Sequence, residues 1–327
     1  MSTSELAIVI VNWNGLNLLK RCLSSIERFP PKVPYEIIVV DNASSDGSVE
    51  WLRAESARNL RLKLVENSAN LGFGKANNQA FAMTDAPLLL LLNSDTEVTE
   101  NAIDTLIKCA KSDERIGGCG PKLLRPDGST QVSVRRNPPN PLEIVAVGFR
   151  LYKLLPKKLR GELLLNSFWD HSCRREAKFL CFAAVLIKKQ VIDGVGGFDE
   201  RYHMYHEDDE FCLRISRAGW KLVFEPSAVV IHHCGQSAKK RWAPPDLVRV
   251  MTEANLSFQR NSLSRTHYLA NLVSQSLVLL FELTWRRLRK IPDEDIKTML
   301  DVHFERIAKP FSSGQIEGQN GRKSPRG

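Results

Sequence analysis

The stretch Tyr35-Glu36-Ile37-Ile38-Val39-Val40-Asp41-Asn42-Ala43-Ser44-Ser45-Asp46-Gly47-Ser48 reads as an apolar strand that stops on a carboxylate and turns into a helix. Outward from it the pattern repeats. Leu6 to Asn12 is a buried strand, followed by the polar Asn12-Trp13-Asn14-Gly15 and an amphipathic helix, Leu16 to Arg28. Ser48 to Ala57 predicts a second helix, Leu62 to Glu66 a third strand, Gly74 to Met83 a further helix, and Pro87 to Leu92 a strand running into Asn93-Ser94-Asp95. Strands that are apolar on both sides and alternate with helices imply an α/β fold on a mostly parallel sheet flanked by helices. Ligands of such sheets gather outside the carboxyl ends of the strands, where this chain carries polar residues four times over.

The 327 residues are 43% hydrophobic and carry a net charge of +9, which excludes a disordered chain or a disulfide-stapled miniprotein. Seven cysteines without a CxxC pair write neither a zinc ribbon nor a disulfide framework, so reduced thiols and a cytoplasmic setting are expected. Met1 to Val11 lacks the basic start and the length of a secretion signal. The positive charge favours anionic partners, but the basic residues are not interleaved with stacking aromatics, so no nucleic-acid partner is expected. The Pro-rich run Asn137 to Pro141 opens a basic segment to Lys178, read as a surface excursion rather than a boundary. Order returns with an apolar strand Phe179 to Ile187, a turn at Gly194 to Gly197, a helix to Ala218 and a strand Leu222 to His232. The remainder is helical and basic, and the tail after Ser312 has a disordered composition.

Four motifs carry chemistry, each beside a structural alternative. Asp41 ends a strand and can accept from an N–H donor in the crevice, whereas Ser45, Asp46 and Ser48 read as caps of the next helix. Asn93 and Asp95 share one side of their strand and can face a divalent cation; the alternative makes Asp95 or Thr96 the cap of a helix from Glu97 to Cys109. Glu207-Asp208-Asp209-Glu210 either complements a helix dipole or, through mutual repulsion, supplies a general base. His232 is a structural strand end or completes a metal site with distant carboxylates.

Taken in order, Asp41, then Asn70-Leu71-Gly72-Phe73-Gly74-Lys75-Ala76-Asn77-Asn78, Asn93-Ser94-Asp95, Gly196-Gly197-Phe198-Asp199, Glu207-Asp208 and His232-His233-Cys234-Gly235-Gln236-Ser237 resemble the family 2 glycosyltransferases of GT-A fold. Within them the chain is most similar to the rhamnosyltransferase-like branch of bacterial polysaccharide enzymes. The resemblance covers about Leu6 to Ser237 and implies a GT-A domain over 5–237, divided at 125 and holding the basic insertion 137–178. A helical extension over 238–311 and a tail over 312–327 follow.

The resemblance further implies an inverting, metal-dependent transfer from a nucleotide-diphospho-sugar to a hydroxyl of a glycan or lipid-linked glycan, with rhamnose a candidate sugar. Asp208 is then the catalytic base, and Asp95 and His232 hold Mg²⁺ or Mn²⁺. Val11, Asn12, Asp41, Asn42, Asn70, Gly72, Lys75, Asn77, Asn93, Ser94 and Asp95 bind the donor, and Phe182 and Glu207 lie on the acceptor side. Asn93 stands where the family often has Asp, Phe182 where a Gly is usual and would narrow the acceptor side, and Asp209 where an apolar residue is common. A nucleotide-sugar-binding protein without catalysis is the alternative. Finally, Tyr268, Leu269, Leu272, Val273, Leu277, Leu280, Phe281 and Trp285 recur at helical spacing before Arg286, Arg287, Arg289 and Lys290. Such a helix packs on the domain or lies on an anionic membrane, which would place the enzyme peripherally on the inner face of the cell membrane.

Overall fold

The structure, a computed structural model, describes residues 4–135, 138–156, 159–160, 169–202, 204–233 and 243–309. They fall into two units, one taking in residues up to 138, 160–200 and 207–237, the other 139–159, 201–206 and 238 onward.

In the first unit, β1 (Leu6–Asn12), α1 (Leu16–Arg28), β2 (Tyr35–Asp41), α2 (Ser48–Arg58), β3 (Leu62–Glu66), α3 (Phe73–Phe81) and β4 (Leu88–Asn93) follow the expected alternation. β2 and β4 flank β1 in parallel, and β3 lies beyond β2. Leu6 to Ile10 have no exposed surface, as the central strand of a sheet covered on both faces requires. Register puts Asn12 opposite Asp41, Asp41 opposite Glu66 and Val11 opposite Asn93, so the polar strand ends form one rim. One carboxylate serves two helices: Asp46 accepts from the first N–H of α1, Leu16, at 2.9 Å and from the first N–H of α2, Ser48, at 3.2 Å. Gly47 between them adopts φ +86°, open to glycine at little cost.

Past β4 the structure departs from the sequence reading. Thr96–Val98 forms strand β5 rather than the first turn of a helix, and α4 begins at Ala102 and ends at Lys111. The Thr96 hydroxyl donates back to the Asn93 carbonyl at 2.7 Å, and Asn101 turns left-handed (φ +58°) before α4. β6 (Ile116–Leu124), β7 (Thr130–Gln131), β8 (Val134–Arg135), β9 (Arg175–Ala177), β10 (Phe179–Leu180) and β11 (Ala184–Lys188) follow, so the single strand expected over 179–187 is broken at Cys181 to Ala183. The sheet runs β3-β2-β1-β4-β11-β6-β12-β5, where β12 is Lys221–His232, and β11 and β5 are antiparallel to their neighbours. β12 bulges between Glu225 and Val229, around Pro226, which has no N–H to give a ladder.

The second unit is helical. α5 (Pro141–Gly148) is capped by Asn140, whose side chain accepts from the Glu143 N–H at 2.9 Å. Back in the first unit, α6 (Lys189–Val195) and α7 (Glu207–Arg217) precede β12. The second unit then resumes with α8 (Pro244–Ser262), α9 (Arg265–Leu288) and α10 (Glu294–Ala308). Residues 139–159, expected as an excursion of the catalytic domain, group instead with these helices. The reason is apolar: Phe149 meets Phe281 with ring centroids 5.0 Å apart, and the Arg150 guanidinium lies 4.3 Å from the centre of Trp285. Leu256, Tyr268, Leu272 and Val302 make the core of this unit. The tail from 310 lies outside the described residues, as does most of 157–168 in the basic segment.

A methyl group at Gly148 would come within 2.4 Å of both Val278 methyls, so α5 rests on α9 through bare backbone. Gly148→Ala is expected to destabilise this unit by about 1–3 kcal/mol, the usual range for overpacking against a stiff β-branched side chain. Adding Val278→Ala should restore most of it, as read by thermal melting and by protease sensitivity.

Candidate active site

At the rim, the loops after β1 and β2 are stitched together. Asp41 is fully buried; Oδ2 accepts from Asn12 Nδ2 (2.9 Å) and from the Ser44 hydroxyl (2.7 Å), and Oδ1 from the Ser44 N–H (2.8 Å). Ser44 Oγ in turn accepts from the Asn14 N–H at 2.8 Å. A carboxylate has about four acceptor positions, so Oδ1 retains one for a further N–H. Asn12 is also fully buried, and its Oδ1 has no partner among the described residues. The space before it is kept by Gly15, where a Cβ would lie 2.8 Å from that oxygen. Val11 beside it is half-buried.

A chain of amides joins this rim to α3. Asn42 donates to the Gly72 carbonyl (3.2 Å) and accepts from Asn67 (2.9 Å), and Asn67 and Gln79 exchange two hydrogen bonds at 2.9 Å. Asn70 Oδ1 receives the Gly72 N–H at 3.0 Å, and Gly72 sits at φ +86° ahead of the helix. Asn77 is buried and bonds within its own helix to Phe73 O, while Lys75, about half exposed, lies 3.8 Å from Glu200. Asn78, part of the Asn70 to Asn78 motif but given no role from sequence, takes both the N–H and the carbonyl of Phe198 at 2.8 and 2.9 Å. Gly197 is required there, since its Cβ would fall 2.3 Å from Asn78 Oδ1.

The β4–β5 turn and the end of β12 bring Asp95 and His232 together. His232 Nε2 is 3.3 Å from Asp95 Oδ1, and the Asp95 carbonyl accepts from the His233 N–H at 2.9 Å. Asn93 is half-buried and ties its N–H to Ala183 O at 2.9 Å; Ser94 is buried. Among the described residues no three His, Cys, Asp or Glu side chains cluster as a metal site. Two protein donors are nevertheless what a Mg²⁺-type site needs when waters and phosphates supply the rest, and cis ligands at about 2.1 Å lie about 3 Å apart. The pair fits such an ion.

The four acids at the start of α7 meet different fates. Asp209 is buried and paired with Arg135, which accounts for an acid at a position where an apolar residue was expected. Glu210 takes the Arg214 Nε at 2.8 Å, and the same guanidinium donates to the carbonyls of Val195 (2.6 Å) and Gly197 (2.7 Å), pinning the Gly-rich turn. Glu207 is buried with Oε2 unpartnered among the described residues; burial, then the charge of Asp208, pushes its carboxyl up to about 8. Asp208 is half-buried and accepts from the Asp209 N–H at 2.9 Å. Phe182, expected to narrow the acceptor side, is instead buried against Phe198 and Phe211, with centroids 5.6 and 5.9 Å away.

The chain is similar to known proteins in sequence and in fold. The family described as Glycosyl transferase family 2 matches residues 7–192. The N-acetylglucosaminyl-diphospho-decaprenol L-rhamnosyltransferase of Mycobacterium tuberculosis is 29% identical over 72% of this chain and 78% of its own. Rhamnosyltransferase WbbL of Escherichia coli K12 is 25% identical over 78% of this chain and 95% of its own. Among solved structures, the mannosyltransferase PcManGT from Pyrobaculum calidifontis, in complex with GDP-Man and Mn²⁺, shares the fold with a TM-score of 0.57 at 15% identity. That match covers 94% of this chain and 87% of the other. The fold is that of GT-A glycosyltransferases, and the chain belongs to glycosyl transferase family 2.

Proposed function

We infer that the enzyme is an inverting, cation-dependent transferase that moves L-rhamnose or a similar sugar from a nucleotide diphosphate to a hydroxyl of a lipid-linked glycan. The observation that carries the mechanism is the sorting of the acids on α7. Asp209 and Glu210 are neutralised by arginines, and Glu207 holds its proton near neutral pH. Asp208, half-buried and held by the Asp209 N–H, is the remaining acid of the four, and it suits the general base. It takes the proton of the acceptor hydroxyl while that oxygen attacks the anomeric carbon opposite the departing diphosphate, which inverts the centre.

Asp95 and His232 would hold the divalent cation, which when bound neutralises charge on the diphosphate. The buried rim of Asn12, Asp41 and Asn42 suits the nucleoside, with Asp41 keeping one acceptor position for a base N–H. Sugar and acceptor class rest on the relatives, one named for L-rhamnosyl transfer to a decaprenyl-linked sugar and one for rhamnosyl transfer.

A lipid-linked acceptor calls for a membrane surface. No described helix is long and apolar enough to cross one. α9 does carry an exposed apolar stripe at helical spacing: Val273 (53% exposed), Leu277 (53%), Leu280 (41%) and Leu288 (81%). The basic residues at its end are less available than their number suggests. Arg286 pairs with Glu282 and Asp295, and Arg287 with Asp293. Peripheral binding would thus rest more on the stripe than on charge.

Asp208→Asn is expected to lower transfer at least about a hundredfold with donor affinity kept, measured by product formation and by calorimetry; a milder loss removes the base assignment. Donor hydrolysis stimulated by Mn²⁺ separates an enzyme from an inactive binder. For Glu207 the folded value of about 8 lies above the ordinary 4.5, so its contribution to stability is complete below pH 4.5 and is lost as pH rises to 8. Glu207→Gln should therefore gain melting temperature over the wild type progressively across that window, and a constant difference would contradict the buried proton. Sedimentation with anionic liposomes should recover the wild type, with binding only partly reversed by salt and abolished by Leu277→Glu combined with Leu280→Glu.

A further inference from the structure

The imidazole of His232 is gripped on both sides. Its Nε2 faces Asp95 Oδ1 at 3.3 Å, and its Nδ1 lies 2.9 Å from Gln131 Oε1. Gln131 belongs to the two-residue strand β7, held against β6 opposite Leu123, so sheet pairing fixes where its side chain starts. His232 is 5% exposed, which leaves the ring little freedom to find other partners.

An amide oxygen can only accept, so Nδ1 must carry a proton to bond with it. A neutral imidazole has a single N–H, and Nε2 is then left with a lone pair. That lone pair meets a carboxylate oxygen, which also has only lone pairs to offer. Two such atoms 3.3 Å apart are unfavourable alone and favourable around a cation. The opposite tautomer, with Nε2–H, would turn a proton toward Asp95 and remove the lone pair that a cation needs. Tautomer choice therefore decides whether Nε2 is open to a cation, and the group that makes the choice is 101 residues away in sequence.

The geometry points to Gln131 as a positioning residue that holds His232 in the Nδ1–H tautomer, so that Nε2 and Asp95 both stay presented to a divalent cation. This rests on the reading of Asp95 and His232 as the cation's ligands. Outer partners of a metal-bound histidine commonly act this way, and losing them costs about 10- to 100-fold in metal affinity.

The test uses the full chain, metal-free, with ¹⁵N-labelled histidine at about pH 8, where an ordinary histidine is neutral. Two-bond ¹H–¹⁵N correlations distinguish the tautomers, and His232→Ala assigns the signals. The wild type and Gln131→Glu, which retains an acceptor, should show His232 as Nδ1–H. Gln131→Met, which fills the same space without one, should shift it to Nε2–H. On adding Mn²⁺ alone, paramagnetic broadening of His232 should require at least about tenfold more metal in Gln131→Met than in the wild type. A wild-type ring in the Nε2–H form, or a Gln131→Met variant that keeps Nδ1–H, overturns the proposal at Gln131 itself. The expected tautomers with no Mn²⁺ broadening in the wild type overturn it through its premise, the cation ligands.

Discussion

In-register parallel pairing around β1 is the constraint from which the site is built. With Asn12 opposite Asp41 and Val11 opposite Asn93, strands that begin far apart in sequence finish at one level, and their polar last residues share a rim. A slip of one residue would turn each of these side chains to the other face of the sheet. The hydrogen bonds from Asn12 and Ser44 to Asp41 then hold the first two loops as a unit. A fully buried carboxylate is tolerable only because donors surround it.

The second half of the unit reaches the same rim after β11 reverses the strand direction once. β11 is antiparallel to β4 and β6, whereas β12 is parallel to β6 and antiparallel to β5. β6 and β12 therefore run in the same direction as β4, so the last residue of β12 ends at the carboxyl-end rim beside the turn after β4, and His232 and Asp95 become neighbours. The same economy of charge operates on α7. Burying several acids together is costly unless each is paired or protonated, and the chain uses both solutions, arginines at Asp209 and Glu210 and a retained proton at Glu207.

The helical unit follows different rules. Its interior mixes a small apolar core with buried amides: Asn271 donates to Gln259 at 2.9 Å and to the Pro139 carbonyl at 2.8 Å. That second bond, with Phe149 on Phe281, explains why a Pro-rich segment takes its place beside helices far later in sequence. The stripe on α9 stays exposed among the described residues.

What the sequence alone determined was local. The apolar runs and their periods located β1, α1, β2 and β3 because burial acts residue by residue along each element, and the polar ends of those strands marked the rim. The order of motifs identified the family, since that order survives in the chain itself. Short segments misled: Thr96 to Val98 has cap chemistry but forms an edge strand, because β12 offers it a ladder that no local rule reveals. Tertiary structure alone decided the partnerships. Arg135 with Asp209, Asn78 with Phe198 and Gln131 with His232 span 74, 120 and 101 residues. Such pairs leave no local signal, because each depends on the register and direction of strands that only the assembled sheet fixes.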